Sequence, residues 1–544
     1  MALDLKLGTF TLPGTSTDIT ITGVGFQPKV ILFFYNEIDD RLVTSLENYI
    51  GSGTPMGQFM FGAATMNGEN ISFGLQDANN GSIADQSFYS IDRCLYSVSP
   101  AYSVQSGNFL SDGFILTHIG ITDGSKVRIH YLALGGSDIT DVKAGYFSTP
   151  TSVGLYDINS IGFQPDLIIM GNNYNNYTNG SNSSCYASFG MATGPNEQGT
   201  IGMRTQNPNY RKRYIQSGEI IGIPDITTTV QRESFVLFQP SGIRMNKKQG
   251  TSETITRYVA IKGGNYHVNN FPTRTDYGII SVSGVEFSPD AVLFTGVGTP
   301  FNNIGYISEN EMVSIGIATV DEQIETSMFD LNHADPARVL VSNYFDKSYI
   351  NIYSGGLLES MEFISPTING FNTLMNYTEL PSGSAVLYLA IGSNNQPNIK
   401  HAYVAGSGYM MVPNSDITIS GAWKNESDGT TLYPSLADLD NETTYVKYIN
   451  SIKGAYFEQG LTNVGSLVPS GVHILSWNGY KISGSHTTTL TCELRQGSGV
   501  ITSDTRTIIN YGINEFSKTL TQEEVSNITN YDDLIIRFTI TNVT

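Results

Sequence analysis

Gly25-Phe26-Gln27-Pro28, with the apolar run Val30-Ile31-Leu32-Phe33-Phe34 close behind it, decides how this sequence folds. It returns as Gly162-Phe163-Gln164-Pro165 before Leu167-Ile168-Ile169-Met170, and more loosely as Glu286-Phe287-Ser288-Pro289 before Ala291-Val292-Leu293-Phe294. Proline cannot donate to a sheet ladder, so Pro28, Pro165 and Pro289 belong at the first residue of a strand or on an edge. The unbroken apolar residues that follow predict a strand buried on both faces. Phe26, Phe163 and Phe287 are expected to plug one end of the core. Gly8-Thr9-Phe10 is matched by Gly145-Tyr146-Phe147 at the same offset that separates Pro28 from Pro165, so the chain contains an internal repeat.

The copies also share an ending. Asp112-Gly113-Phe114 and Asn369-Gly370-Phe371 read as tight turns entering a strand, with Ser234-Phe235 as the weaker counterpart in the middle copy. Tyr131-Leu132-Ala133, Tyr258-Val259-Ala260 and Tyr388-Leu389-Ala390 follow as a closing strand. The reading is all-β: three tandem, related antiparallel β-sandwiches over 1–137, 138–264 and 265–394. Each is near the usual size of one domain. After residue 394 the repeat stops, and 395–544 is expected to be a jelly-roll-like sandwich with one short helix. Thr521 with Glu524 three residues on predicts a capping box for that helix, which should end near Asn530.

Composition narrows the function classes. The 544 residues are 14% charged and 11% aromatic, with 31 Tyr and 26 Phe, which suits many short strands rather than helices. A formal net charge of -20 argues against nucleic acid, where a basic footprint is expected. It also argues against an anionic lipid surface. No apolar run is long enough to span a membrane as a helix, and Met1-Ala-Leu-Asp-Leu-Lys has no secretory n-region, so none of these compartments is expected. Cys94, Cys185 and Cys492 are dispersed and odd in number, predicting free thiols and no zinc site.

Between the shared landmarks the copies diverge. Asn172 to Ser184 is a polar stretch of Asn, Tyr, Ser and Gly, the composition of adaptable binding loops and also of ordinary exposed ones. Tyr174, Asn176 and Tyr177 are its candidate contact residues. Asn209-Tyr210-Arg211-Lys212-Arg213-Tyr214 is the one concentrated basic–aromatic patch, expected to pair with a neighbouring subunit or another domain; Tyr210 and Tyr214 are its candidates. Trp423 and Trp477 divide between core and sugar-facing roles, with core favoured because Trp is usually well buried.

The cassette from Gly8-Thr9-Phe10 through Gly25-Phe26-Gln27-Pro28 to Tyr131-Leu-Ala-Leu-Gly135 resembles repeats of tailed-bacteriophage virion proteins of the tail-fibre-like or minor structural kind. The closing segment, with Trp423, Leu432-Tyr433 and the run from Leu520 to Phe538, is similar to a second phage module. The resemblance implies a virion component made in the host bacterial cytoplasm, and it carries over no catalytic residue. Phosphate-loop, His-Glu-x-x-His and Gly-x-Ser-x-Gly motifs are missing from the sequence, and the seven histidines are scattered. Asp39-Asp40, Glu523-Glu524 and Asp532-Asp533 read as surface charge and capping rather than a glycosidase pair. The expectation is therefore a structural, adhesive surface protein, with no enzyme activity, no cofactor and no metal. Its expected partners are other tail or capsid proteins and host surface polysaccharide, with self-association as a homo-oligomer, a trimer being the count guessed. A capsid-decoration or head-fibre role, a polysaccharide-degrading spike and a cellular adhesin are the alternatives.

Overall fold

The apolar runs are buried on both faces, and by two different cores. In the strand Pro28–Tyr35, Val30, Leu32 and Phe34 join one cluster while Ile31, Phe33 and Tyr35 join another. Leu167–Asn172 divides the same way, with Leu167 and Ile169 against Ile168 and Met170. So does Ala291–Gly296, with Ala291 and Leu293 against Val292 and Phe294. Period-2 alternation puts successive side chains on opposite faces. One face fills the repeat's own sandwich, and the other fills a core common to all three repeats.

The computed structural model describes residues 3–35, 49–52, 56–78, 85–98, 101–121, 127–183, 185–206, 210–330, 339–353, 356–367, 369–379 and 383–393 of the first part of the chain. Of the remainder it describes 403–407, 409–411, 413–420, 423–425, 446–448, 456–461, 470–481, 488–508, 512–529 and 534–543. The chain divides into two units, Met1–Asn395 and Gln396–Thr544. Strands are almost entirely antiparallel neighbours of one another, and Gln522–Ser526 is the one α-helix among the described residues.

Each repeat builds a seven-stranded and a four-stranded sheet with identical strand order. In the first, an opening strand (Leu3–Leu12) pairs with the closing strand (Val127–Gly136), which pairs with the cassette strand Pro28–Tyr35. A central hairpin (Met56–Thr65, Asn70–Ala78) and an edge strand (Gln86–Ser90) follow. The second repeat has the same roles in Asp141–Ser148, Ile255–Lys262, Leu167–Asn172, Cys185–Gly194, Glu197–Gln206 and Tyr210–Ser217. The third has them in Asn265–Pro272, Ala385–Gly392, Ala291–Gly296, Glu311–Thr319, Gln323–Asp330 and Val339–Tyr344.

The seventh strand of each large sheet comes from another repeat. A short clasp strand, placed in every copy between the cassette strand and the central hairpin, crosses the boundary. Gly180–Asn182 of repeat two adds to Gln86–Ser90 of repeat one. Ser308–Glu309 of repeat three adds to Tyr210–Ser217 of repeat two. Tyr49–Ser52 of repeat one adds to Val339–Tyr344 of repeat three. The exchange therefore closes into a ring with three equivalent steps, and each clasp covers an edge that would otherwise expose unpaired backbone.

Smaller contacts repeat around the same ring. The tip of each central hairpin carries a glutamate that meets the opening strand of the next repeat. Glu69 Oε2 accepts the Ala144 N–H at 2.9 Å, Glu197 lies 3.7 Å from His267 Nδ1, and Glu322 Oε1 takes Lys6 Nζ at 2.7 Å. The residue after each cassette proline holds the chain as it leaves that repeat: Lys29 Nζ donates to Ile139 O, Asp166 accepts from Gly263 N, and Asp290 accepts from Ser393 N.

The cassette prolines are all buried; Pro28 is the first residue of its strand, whereas Pro165 and Pro289 stand two residues ahead of theirs. The rings in front of them are unequal. Phe287 is buried, whereas Phe26 and Phe163 are half-buried at the mouth of their sandwiches. Phe26 lies against Gly135, where a Cβ would come within 2.7 Å of the ring. The turn landmark of repeat two also needs correcting. Its equivalent of Asp112-Gly113-Phe114 is Ser241-Gly242-Ile243, not Ser234-Phe235, because Gly242 begins the strand that pairs with Gly154–Ile158. The cause is steric: a Cβ on Gly113, Gly242 or Gly370 would meet a carbonyl oxygen at 1.9, 1.8 or 2.0 Å.

The C-terminal unit has a four-stranded, a five-stranded and a two-stranded sheet. Its helix is capped as the sequence reading expects: Glu524 N donates to Thr521 Oγ1 at 3.2 Å and Thr521 N donates to Glu524 Oε2 at 2.7 Å. It stops at Ser526 with Asn527 as C-cap, short of the Asn530 expected. Glu524 also takes Thr502 Oγ1 and Lys518 Nζ; these bonds, led by Thr502, hold its carboxyl down at about 2. Trp423 pairs through its backbone with Tyr448, and Trp477 with Phe516. The Trp side chains lie outside the described residues, as do Leu432-Tyr433, Asp39-Asp40 and Asp532-Asp533.

Candidate functional site

The polar stretch that begins at Asn172 is the clasp of repeat two, and most of it is not free loop. Asn172, Asn173 and Asn175 are buried. Asn172 Nδ2 donates to Thr254 and Thr256 hydroxyls at 3.0 and 2.7 Å, and its Oδ1 takes the Tyr174 N–H at 2.7 Å. Asn173 Nδ2 bridges the boundary, donating to Gly74 O of repeat one and Tyr186 O of repeat two, both at 2.9 Å. Asn179 Oδ1 accepts from Ser90 Oγ and Ile91 N of repeat one. A buried polar group costs free energy unless it is paired. Here the asparagines supply the pairing that a strand crossing between two sheets needs.

Beneath this clasp sits Arg257, fully buried in the closing strand of repeat two. Its guanidinium lies 4.6 Å from the centre of the Tyr89 ring of repeat one and donates to Tyr177 O at 2.9 Å and Thr178 O at 3.0 Å. Burial pushes the guanidinium down to about 9, still a cation at neutral pH. Arg257 was missed in the sequence. Its signal was a cation immediately before the apolar closing run Tyr258-Val-Ala-Ile, at a register position where the same strand of repeat three has Leu387.

The predicted contact residues separate. Tyr177 is 61% exposed, and Asn176 beside it is exposed. Tyr174 is half-buried at φ 52°, packed 5.4 Å from the Tyr186 ring with its hydroxyl 3.2 Å from Ser252 Oγ. Tyr214 is buried, its hydroxyl donating to Glu219 Oε2 at 3.1 Å, and burial raises its pKa; it is a core residue, not a surface contact. Tyr210 is placed by its backbone, opposite Gln206, and its side chain lies outside the described residues. The basic patch around them pairs with another repeat: Lys212 and Arg213 stand opposite Glu309 and Ser308, and Lys212 makes an ion pair with Glu309.

Sequence reading missed the second aromatic clasp. In repeat three, Phe301 and Tyr306 are exposed, with Asn302 and Asn303 exposed beside them. Tyr306 N donates to Asn303 O, and Gly305 N donates across the boundary to Ile215 O at 2.8 Å. The exposed aromatics among the described residues are Tyr146, Tyr177, Tyr277, Phe301 and Tyr306, so three of the five stand on the segments that lead into the clasp strands of repeats two and three.

The clasps and the chain leave opposite ends of the paired cassette and closing strands. The cassette strand and closing strand are antiparallel in all three repeats. Clasps leave the far ends of the cassette strands, while the closing strand Ala385–Gly392 brings the chain out of the ring at the cassette end.

Elsewhere, acidic groups are absorbed by the fold. Glu233 takes the Tyr156 hydroxyl and Gln231 Nε2 within its sandwich, and Glu359, at the register place of Gln231, takes Thr273, Asn351 and Ser384 in the third; burial raises both carboxyls. Among the described residues no group of three or more His, Cys, Asp or Glu could hold a metal ion, and no helix is long and apolar enough to cross a membrane. Cys94, Cys185 and Cys492 are free and buried. No protein-family model, no curated protein and no solved structure matches this chain.

Proposed function

We propose that this chain is a surface structural protein of a tailed-bacteriophage virion, acting as a fibre-like or receptor-binding appendage. Its ring is the mechanical part and its clasps are the adhesive part. The observation that carries the reading is the aromatic display: clasp segments tied across the boundaries by hydrogen bonds expose Tyr177, Phe301 and Tyr306 beside exposed asparagines. Aromatic faces flanked by Asn carboxamides suit a saccharide, whose C–H groups stack while its hydroxyls hydrogen-bond. Partners on this reading are other virion proteins and host surface polysaccharide. A homotrimer is not needed to cover the edges Gln86–Ser90, Tyr210–Ser217 and Val339–Tyr344, because clasps of the same chain do so.

Antibody against the purified protein, imaged on particles by electron microscopy, tests the placement. Label at the tail tip is the expected result; label over the head moves the protein to capsid decoration, and unlabelled particles remove it from the virion surface. The adhesive part is tested separately with purified host envelope polysaccharide. The Tyr177→Ala, Tyr306→Ala double variant should lose binding, and release of new reducing ends by the parent protein would make it an enzyme instead.

A further inference from the structure

The three boundaries of the ring are alike in strands but not in covalent chemistry. Repeats one and two are joined by residues 137–140, and repeats two and three by 263–264. Repeats three and one have no linker between them. The shared apolar core runs beneath that boundary, and it is further held by Tyr49–Ser52 added to Val339–Tyr344, the exposed ion pair of Lys6 with Glu322, and Phe345 of repeat three set against Arg128 and His130 of repeat one at 5.4 and 6.0 Å. An exposed ion pair adds little. Opening this boundary strains neither linker; it exposes part of the shared core, which a second copy can cover again, and frees a strand and the edge that receives it.

We propose that the edge strand Val339–Tyr344 is a strand-acceptor site whose alternative occupant is the Tyr49–Ser52 clasp of a second copy of this chain. The acceptor already takes a clasp in antiparallel register, Leu340 with Ser52 through Asn343 with Tyr49. A second copy presents the same clasp in the same sequence context, so the exchanged pair keeps every backbone hydrogen bond of the closed ring. Donor and acceptor are different patches, which makes the contact head-to-tail: two opened copies can close into one six-repeat ring, and more can extend it. The inference rests on the ring closure alone and is independent of the proposed virion role.

Paired cysteines test it. Ile50 and Ser342 are register partners, and antiparallel partners have Cα atoms about 4.5–5.5 Å apart, within disulfide range. The same-chain variant Ile50→Cys, Ser342→Cys should oxidise with diamide to an internally linked monomer, running faster on a non-reducing gel. A mixture of the two single variants is then held in urea below the unfolding midpoint, returned to buffer and oxidised. A disulfide-linked dimer containing one of each variant, with loss of the monomer band, is the expected result; wild-type protein carried through the same cycle should stay unlinked. If the mixture stays monomeric while the double variant links internally, exchange does not occur and the proposal is overturned. If the double variant also fails to link, the ring closure beneath the proposal is wrong.

Discussion

The cassette strands and the clasp of repeat two are both interior, and their chemistries are opposite. Leu167 to Met170 is buried by apolar contact on both faces. Asn172, Asn173 and Asn175, just beyond it, are buried too, and Asn172 and Asn173 make side-chain hydrogen bonds that reach two repeats. The apolar strand belongs to the middle of a sheet, where the ladder on either side satisfies its backbone. The clasp leaves the sheet and turns across a boundary, so its backbone needs other partners, and asparagine offers donor and acceptor on a short stem. Interior does not imply apolar where a chain changes sheets.

Removing apolar volume from the shared core should have the largest effect. Phe189 of repeat two lies among Phe59, Phe61 and Phe73 of repeat one, 5.0 Å from Phe61 and 6.3 Å from Phe73. Phe189→Ala should cost about 3–5 kcal/mol, the range for a buried ring. Denaturant titration gives the cost, and hydrogen exchange should show loosened strands on both sides of the boundary. A loss confined to repeat two would mean that the repeats do not share a core.

Asn173→Ala comes next and probes the other half of the comparison. It leaves Gly74 O and Tyr186 O without their donor, at about 1–3 kcal/mol for buried unsatisfied groups. Its signature should be local, with faster amide exchange at Ser87 to Tyr89, where the clasp strand pairs, and little change in the third repeat. Equal exchange in all three would merge the clasp with the core and erase the distinction.

What the sequence made legible follows the same division. Alternation and the proline starts identify the cassette and closing strands, because burial there is a matter of apolar period. The offset between Gly8 and Gly145 is legible for a steric reason: each glycine stands opposite a tyrosine whose ring a Cβ would crowd, at 2.4 Å for Tyr131 and 3.0 Å for Tyr258. Exchange between repeats was not legible. Clasp strands of two to four residues carry no period, and a polar stretch that bonds across a boundary has the composition of an exposed loop. The basic patch gave half of it: Lys212 was expected to meet another domain, and Glu309 is in the next repeat. Tyr214 was misjudged because alternation within Tyr210–Ser217 turns it inward.

A finer test lies at the cassette ring. Phe26 is half-buried where full burial was expected. Phe26→Ala should cost about 1 kcal/mol, roughly half of what burying a whole Phe contributes. Phe287→Ala, at the buried equivalent, should cost more. The pair is read by parallel denaturant titrations, and equal costs would show that the ring in repeat one is as much a core residue as the one in repeat three.

The smallest expected effect concerns the hairpin-to-opening-strand contacts, where the three boundaries differ in one proton. Lys6, Lys143 and His267 occupy the same register place, two residues before the strand position that faces Tyr131, Tyr258 and Tyr388. Of the three side chains only histidine titrates near neutrality. Burial lowers the His267 pKa, with Glu197 and Glu286 opposing that shift, and its ring lies 6.0 Å from Tyr388. A folded-state pKa below the unfolded value of about 6.5 means that the unfolded chain binds the proton more readily. This group's contribution is therefore complete above about pH 6.5 and is lost as the pH falls below it toward the folded-state value. Thermal melts across that window should show a slope in the parent that His267→Gln flattens, with exchange at Asn265–Pro272 rising in acid only in the parent. An unchanged slope in the variant would assign the acid sensitivity to other groups and leave the three boundaries electrostatically alike.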